Sequence, residues 1–517
     1  MHGVDPREAL RHSTQRTPGD AMAWIELSEA ELDAGDAAAG ERAAQRALAL
    51  QPGHPEALAR LGRAQWMSDR RYEAVASLQA AARNAPQHPG IAVWLGHALE
   101  DVGEAEAAAD AYARAHALLP QEAQLAAYLL AWRRKICDWR DLDALSRQVR
   151  AAVAAGQSAV EPFAFLSEDA SAAEQLRCAT LRASSIPTAT TQSAQPQAID
   201  APVRAGFLSN GFGAHPTGLL TVALFEALRD RGDLQTHLFA LNRDDHSAIS
   251  ERLHAAAHEW HDVAMRPHAQ IAHDIRQARI EVLFDLRGWG GGGTPEVMAM
   301  RPAPVQVNWL AYPGTSGAPW IDYAMADAFV LPPTLEPNFS ECVAYLPRCF
   351  QPSDPHRVIS TAPTRAACEL PEFGIVFCCF NNSYKINPTT FARAMSVLRG
   401  VPDSVLWLLS APGRGDQRLR DAAKSVGIAP ERLVFMAKQP HLDYLARLRL
   451  ADLFLDSSPY NAHTTASDAL WAGCPVLTVP GATFAARVAG SLNHHLGLDD
   501  MNAATNADYI ATAIALA

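Results

Sequence analysis

Small and apolar residues recur every 34 positions through the first 135 residues of the chain. Leu27, Leu61, Leu95 and Leu129 form one column, Ala30, Ala64 and Ala98 a second, and Ala47, Ala81 and Ala115 a third. Pro18, Pro52, Pro86 and Pro120 keep the same step, and Gly35 and Gly103 fall between the columns, where two helices need a turn. Proline ends a helix and small residues let neighbouring helices approach closely. The period therefore predicts stacked helix pairs, the tetratricopeptide repeat, over residues 1–135. Such an array offers a surface for peptides or proteins; a structural or dimerising array is the other reading, and an oligomer formed through the repeats goes with it. From Leu125 to about Leu181 the pattern stays helical but loses the period. Residues 183–199, polar and without an apolar stripe, read as a linker or exposed loop. Residues 136–200 are thus a helical connector and linker.

Beyond residue 200 the pattern changes to short apolar runs separated by helical stretches. Residues 203–209, 234–241, 280–286 and 305–310 read as strands, with helices over 218–231 and 269–278. A second set follows at 374–380, 405–410, 432–437, 451–456 and 475–479. This alternation implies parallel strands with crossover helices. It predicts two sheets of similar size in two facing Rossmann-like lobes, residues 201–360 and 361–517, joined by the Pro-rich segment 351–372. Ligands of open α/β sheets bind at the C-terminal ends of the strands, so a cleft between the lobes would collect the functional loops.

Composition narrows this picture. The formal charge of -12 and pI of about 5.9 argue against a general nucleic-acid binder, which needs a basic surface. No run of about 18 apolar residues suggests a membrane span, and the N-terminus has no signal-peptide pattern. The eight cysteines form no C-x-x-C pair, which suggests buried free thiols in a reducing, cytoplasmic compartment. Cys378 and Cys379 lie in an apolar strand run, where packing is expected.

Four motifs carry candidate chemistry. In NAHTTASDALWAGCP, residues 461–475, a helix starts at Thr464 or Thr465 after a strand and a loop. Its free amides and dipole make an anion site, and Asp468, one turn on, is placed for ribose hydroxyls. In FNNSYKINP, Lys385 stands at the mouth of a strand, where one compact cation can meet a leaving diphosphate. In SNGFGAHPTG, His215 follows the first strand of the first lobe, a donor, base or orienting group near neutral pH. In RPAPVQVNWLAYPGTSG, a strand ends in a Pro-Gly turn where backbone amides and Thr315 or Ser316 could contact a sugar. The run Gly290–Gly293 reads as a slack surface loop more than as a cleft rim. The D-x-D pair Asp141–Asp143 lies in the helical connector, where a solvated face is expected, and His494–His495 lacks ligand spacing.

Over nearly the whole chain these motifs, with CDWR at residues 137–140, resemble the protein O-linked N-acetylglucosamine transferase family. The resemblance implies a tetratricopeptide superhelix ahead of a two-lobed GT-B glycosyltransferase. It implies inverting transfer of N-acetylglucosamine from UDP-GlcNAc to serine or threonine hydroxyls, with neither metal nor cofactor. The first lobe would take the acceptor and sugar side and the second the nucleotide. By position, His215 matches the active-site histidine and Lys385 the lysine on the diphosphate. His463, Thr464 and Thr465 match the diphosphate-binding helix start, and Asp468 the ribose contact. Leu310 and Pro313 match the sugar pocket, and Asn382 a residue near the phosphates. Tyr444 stands where animal enzymes stack a histidine on uracil, and His441 where they have a lysine. Glu26, Arg60, Trp94 and Tyr128 replace the animal asparagine ladder. The large insert between the animal lobes is absent, as in bacterial members, and the chain stops at Ala517, before the family's last helices. Plant SPINDLY-type enzymes share the architecture, which makes GDP-fucose the alternative donor. A repeat scaffold that senses nucleotide without turnover is the alternative of a different class.

Overall fold

The computed structural model of the protein describes residues 6–188 and 201–517. It divides into two compact units, one running to Val149 and including Ala411–Gly415, the other made of Arg150–Ser410 and Asp416–Ala517.

In the first unit the 34-residue period becomes helix pairs: Ala21–Asp33 with Ala37–Leu50, Pro55–Met67 with Arg71–Asn84, and Pro89–Asp101 with Ala105–Leu118, followed by Ala123–Lys135. Pro52, Pro86 and Pro120 stand in the turns between pairs. Gly35 and Gly103 turn the chain within pairs at φ 85° and 80°, and Asp69 takes the matching position at φ 58°. Ala47, Ala81 and Ala115 are completely buried. Ser28, Gly62 and Gly96 form a further column that the repeat reading overlooked. A Cβ at Gly62 would stand 2.7 Å from Leu78 Cγ, and one at Gly96 2.6 Å from the Tyr112 ring. Helices within a pair touch there backbone to side chain.

The second unit holds two parallel sheets. The first contains β1 (Val203–Ser209), β2 (Leu234–Ala240), β3 (Glu259–Asp262), β4 (Val282–Asp285), β5 (Val305–Asn308), β6 (Tyr323–Ala326) and β7 (Cys342–Tyr345), in the order β3-β2-β1-β4-β5-β6-β7. The second contains β8 (Val376–Cys379), β9 (Val405–Leu409), β10 (Leu433–Met436), β11 (Leu453–Leu455) and β12 (Val476–Leu477), in the order β10-β9-β8-β11-β12. The sheets are not of similar size: β3, β6 and β7 extend the first. Edge strands β3 and β7 have four residues each and are half-solvated, too short to show a period. Each sheet reverses its winding once, between β1 and β4 and between β8 and β11, and these reversals are the ligand-binding crevices of such folds.

The lobes share cores. Phe484 and Val488, beyond β12, pack with Trp309, Leu310 and Phe350 of the first lobe. Arg487 donates to Phe329 O at 2.9 Å and Ser491 Oγ to Asp327 at 2.7 Å, fixing this return crossing. The expected linker over 183–199 begins later than its composition implies. Helix Ala172–Ser184 includes Ala183, which is buried with Ile186 in a core of the first lobe. The helix backbone passes so close to Gly317, at φ 62°, that a side chain there would strike Ala179 and Thr180. Residues 189–199 of that stretch lie outside the described residues.

Candidate functional site

A cavity of about 310 Å³ opens between the two reversal points. Loops after β1, β4 and β5 bring His215, Arg287 and Leu310 to it. Loops after β8 and β11 bring Asn381, Asn382, Lys385, Tyr460, His463, Thr464 and Thr465. Of the residues proposed from sequence, His215, Leu310, Asn382, Lys385, His463, Thr464 and Thr465 are thus brought together.

Lys385 ends the short turn Ser383–Lys385 and is buried, with 8% exposure. Its Nζ donates to Asn461 O at 2.7 Å and lies 3.6 Å from the centre of the Tyr460 ring. Burial pulls its pKa down from the ordinary lysine range, and the Asp456 charge opposes that pull. Asp456, at the end of β11, accepts from Asn381 Nδ2, the Ser457 and Ala462 amides and Thr478 Oγ1. Burial pushes the Asp456 carboxyl above the usual carboxylate range, and these hydrogen bonds, together with the nearby Lys385 charge, oppose that rise. Asn381, absent from the sequence-based set, ties the two loops together: it also donates to Ser457 Oγ and accepts from Thr465 Oγ1 at 2.7 Å.

Helix Thr464–Ala472 begins at this wall. The Thr464 and Thr465 amides have no hydrogen-bond partner among the described residues, as expected for the first turn of a helix. The His463 ring donates from Nε2 to Ala485 O at 3.1 Å, and burial, then Lys385, hold its pKa well below the usual value. It is a neutral ring whose N–H is already engaged, so among the described residues the donors left to meet an anion at this wall are the helix amides and the Thr464 hydroxyl.

Across the cavity, His215 caps helix Pro216–Arg229. Its Nδ1 accepts from the Thr217 amide at 3.2 Å, which puts the proton of the neutral ring on Nε2. Burial, with Arg287 and Lys438 adding to it, pushes the pKa down to about 4. Arg287, the second cation of the cavity, was not picked out from sequence, although it directly follows β4 in the string DLRGWGGGG. The glycine run beyond it is not a slack surface loop. Gly290 lines the cavity, Gly291 O accepts from Asn210 Nδ2 and Arg287 Nη2, and a Cβ at Gly292 would collide with Asn210. The Asp285 carboxylate folds the loop by accepting the Arg287 and Gly288 amides, each at 2.9 Å.

Asp468, His441 and Tyr444 do not line the cavity; they form a cluster on the same lobe. Asp468 Oδ1 accepts from Arg357 Nη1 at 2.9 Å and lies 3.2 Å from His441 Nε2. Arg357, from the segment joining the lobes, also donates to Ser467 Oγ. The Tyr444 ring packs against His441 and Phe380, and its buried hydroxyl has no hydrogen-bond partner among the described residues. Pro313 is buried and also outside the lining. Leu310 reaches the cavity with φ 84°, a strained backbone for a bulky residue. Thr315 and Ser316 do not face a sugar: Thr315 Oγ1 donates to Glu341 Oε2 and the Ser316 amide to Oε1, each at 2.6 Å, in the interior. A buried carboxylate must be paired, and these two groups pair it.

Residues 182–362 and 353–517 match the family model described as glycosyl transferase family 41. An Arabidopsis thaliana protein named probable UDP-N-acetylglucosamine–peptide N-acetylglucosaminyltransferase SEC is 36% identical over 302 residues, 57% of this chain and 31% of that protein. The Caenorhabditis elegans UDP-N-acetylglucosamine–peptide N-acetylglucosaminyltransferase is 27% identical over 427 residues, 61% of this chain and 37% of that protein. A Solanum lycopersicum protein of the same transferase name, with the designation SPINDLY and marked probable, is 32% identical over 50% of this chain and 28% of its own length. The match therefore spans only about a third of the length of these curated relatives. Among solved structures, an O-GlcNAc transferase mutant from Thermobaculum terrenum superposes with a TM-score of 0.66 at 26% identity, covering 99% of this chain and 91% of that one.

Proposed function

The chain belongs to glycosyl transferase family 41, and on that footing we propose that it transfers N-acetylglucosamine from UDP-GlcNAc to serine or threonine hydroxyls of proteins. One observation carries this reading: a single cavity lined by His215 of the first lobe and by Lys385 and the start of helix Thr464–Ala472 of the second. The names of its relatives and the likeness to the Thermobaculum terrenum O-GlcNAc transferase support it.

The acceptor oxygen attacks the anomeric carbon from the face opposite UDP. The new C–O bond forms as the bond to the diphosphate breaks, and configuration inverts. Negative charge grows on the departing diphosphate. Lys385, the Thr464 and Thr465 amides and Arg287 supply donors fixed in place before it grows. With the charge met this way, we propose transfer without a metal ion in the reaction step. The neutral His215 ring, with Nδ1 occupied and Nε2 carrying hydrogen, is arranged to donate to an oxygen and orient it. A histidine held near 4 is also a weak base at neutral pH. The acceptor proton then leaves to a donor phosphate oxygen. His441, Tyr444 and Asp468 form the nucleoside side of the site. The contacts of Asp468 to Arg357 and His441 both use Oδ1, which leaves Oδ2 for a ribose hydroxyl. The repeats and the cleft take the protein acceptor. Eight free cysteines support a reducing, cytoplasmic setting.

Calorimetric titration with UDP and GDP, followed by turnover with UDP-GlcNAc and a peptide, tests the donor. We expect UDP to bind at least about tenfold tighter, a difference of about 1.4 kcal/mol. Tighter GDP binding would move the reading to fucose transfer.

A further inference from the structure

Strands β2 and β3 are parallel neighbours at one edge of the first sheet, and their register sets His237 against Glu259 and Phe239 against His261. Side chains two apart on a strand share a face, so His237, Glu259 and His261 stand on one face at adjacent positions. Phe239, on the same face, stacks on the His261 ring at 4.3 Å and 7° and fixes its orientation. One atom from each residue converges. His237 Nδ1 and His261 Nε2 are 3.1 Å apart, and Glu259 Oε2 lies 3.5 Å from the first and 3.6 Å from the second. A point equidistant from the three atoms lies about 2.0 Å from each, the length of zinc bonds to imidazole nitrogen and carboxylate oxygen.

We propose that His237, Glu259 and His261 form a divalent metal site of the zinc class on this sheet edge. The donor set decides the class. Two imidazoles and one carboxylate suit zinc and its transition-metal neighbours, whereas magnesium and calcium take oxygen ligands. A shared proton between the two rings would account for their 3.1 Å separation but leaves the carboxylate beyond hydrogen-bond reach of both nitrogens. A bound cation accounts for all three distances. His237 is buried at 2% exposure and Glu259 faces solvent, so the open side leaves a fourth ligand position to solvent. None of the three lines the cleft cavity. The ion would act by clamping the four-residue edge strand β3 to β2, not by entering the transfer reaction. A ligand that binds only the folded state stabilises it.

Full-length protein, freed of metal by chelation, is titrated with zinc by calorimetry and melted with and without zinc. Wild type is compared with Glu259→Gln and His261→Gln, two positions open enough to solvent to spare the core. We expect wild type to bind one more equivalent of zinc than either variant, or the same site to weaken at least about tenfold in each. The zinc-dependent rise in Tm should shrink in both. Cobalt in place of zinc should give the visible absorption of a four-coordinate ion in wild type alone. Equal zinc stoichiometry, affinity and Tm rise in all three proteins would overturn the site.

Discussion

Lys385 combines three features that pull against one another: burial, a positive charge and a position on an open cavity. Burial lowers its pKa below the ordinary lysine value, so it sheds its proton at a lower pH than a solvated lysine. A proton on Lys385 is needed to meet the diphosphate. We therefore expect kcat/KM to fall as pH rises through the lowered pKa. The fall in kcat should come at higher pH, because a bound diphosphate holds the proton on. His215 works in the opposite direction. Its folded pKa, near 4, is below the ordinary 6.5 of an unfolded histidine. Between those values the unfolded chain takes up a proton that the folded chain refuses, so stability falls as pH drops through that window. The folded ring is neutral above about 4, and we expect kcat/KM to show no acid limb at 6.5 down to about pH 5. A limb centred on 6.5 in a pH–rate profile would mean a histidine titrating normally in the reaction. A residue's place on the cavity was legible in sequence where a cation or a helix start followed a long apolar run, as at Lys385 and Thr464. Arg287 followed such a run too, but the glycines after it drew attention to slack rather than to charge. Asn381 sits beside Asn382, and only the fold separates the buried neighbour that bridges the loops from the one that stays solvent-exposed at the cavity.

At the scale of elements, the loop after β1 is shaped by glycine. A Cβ at Gly218, in the first turns of helix Pro216–Arg229, would collide with the carbonyl oxygens of Gly213 and Gly211. Those are backbone atoms, so the loop that positions His215 would have to move. We expect Gly218→Ala to destabilise the protein by about 1–3 kcal/mol, the range for overpacking. It should lower kcat more than it weakens UDP binding, as denaturant melts and kinetics would show. Wild-type turnover in that variant would mean the loop has slack. The central strands of both sheets were readable because each is covered on both faces, which demands a continuous apolar run. β3, β6 and β7 were not, since four residues are too few to carry a period. The same shortness hid His237, Glu259 and His261 as a group, because their meeting depends on a register that sequence does not state.

At the scale of the whole molecule, the repeats and the two-lobed architecture were both plain in the sequence, one from its period and the other from its alternation. The return of residues 484–491 to the first lobe was not, because a crossing leaves no local pattern. The proposed division of labour between repeats and cleft can be checked without dismantling either. Trp66, Trp94, His97 and Tyr128 form a chain of edge-to-face rings, and Arg63 lies 5.0 Å from the Trp94 ring centre. Trp94→Ala should raise the KM for protein acceptors several-fold, on the scale of about 1 kcal/mol or more for an aromatic contact. UDP binding should be unchanged. Equal acceptor kinetics would remove this face from acceptor recognition. The central claim is that a diphosphate is held where the lobes meet and released against Lys385. The decisive measurement is turnover of UDP-GlcNAc by Lys385→Ala at saturating donor and acceptor. Loss of about a hundredfold or more in a protein that still melts cooperatively is the expected result; turnover close to wild type would contradict it.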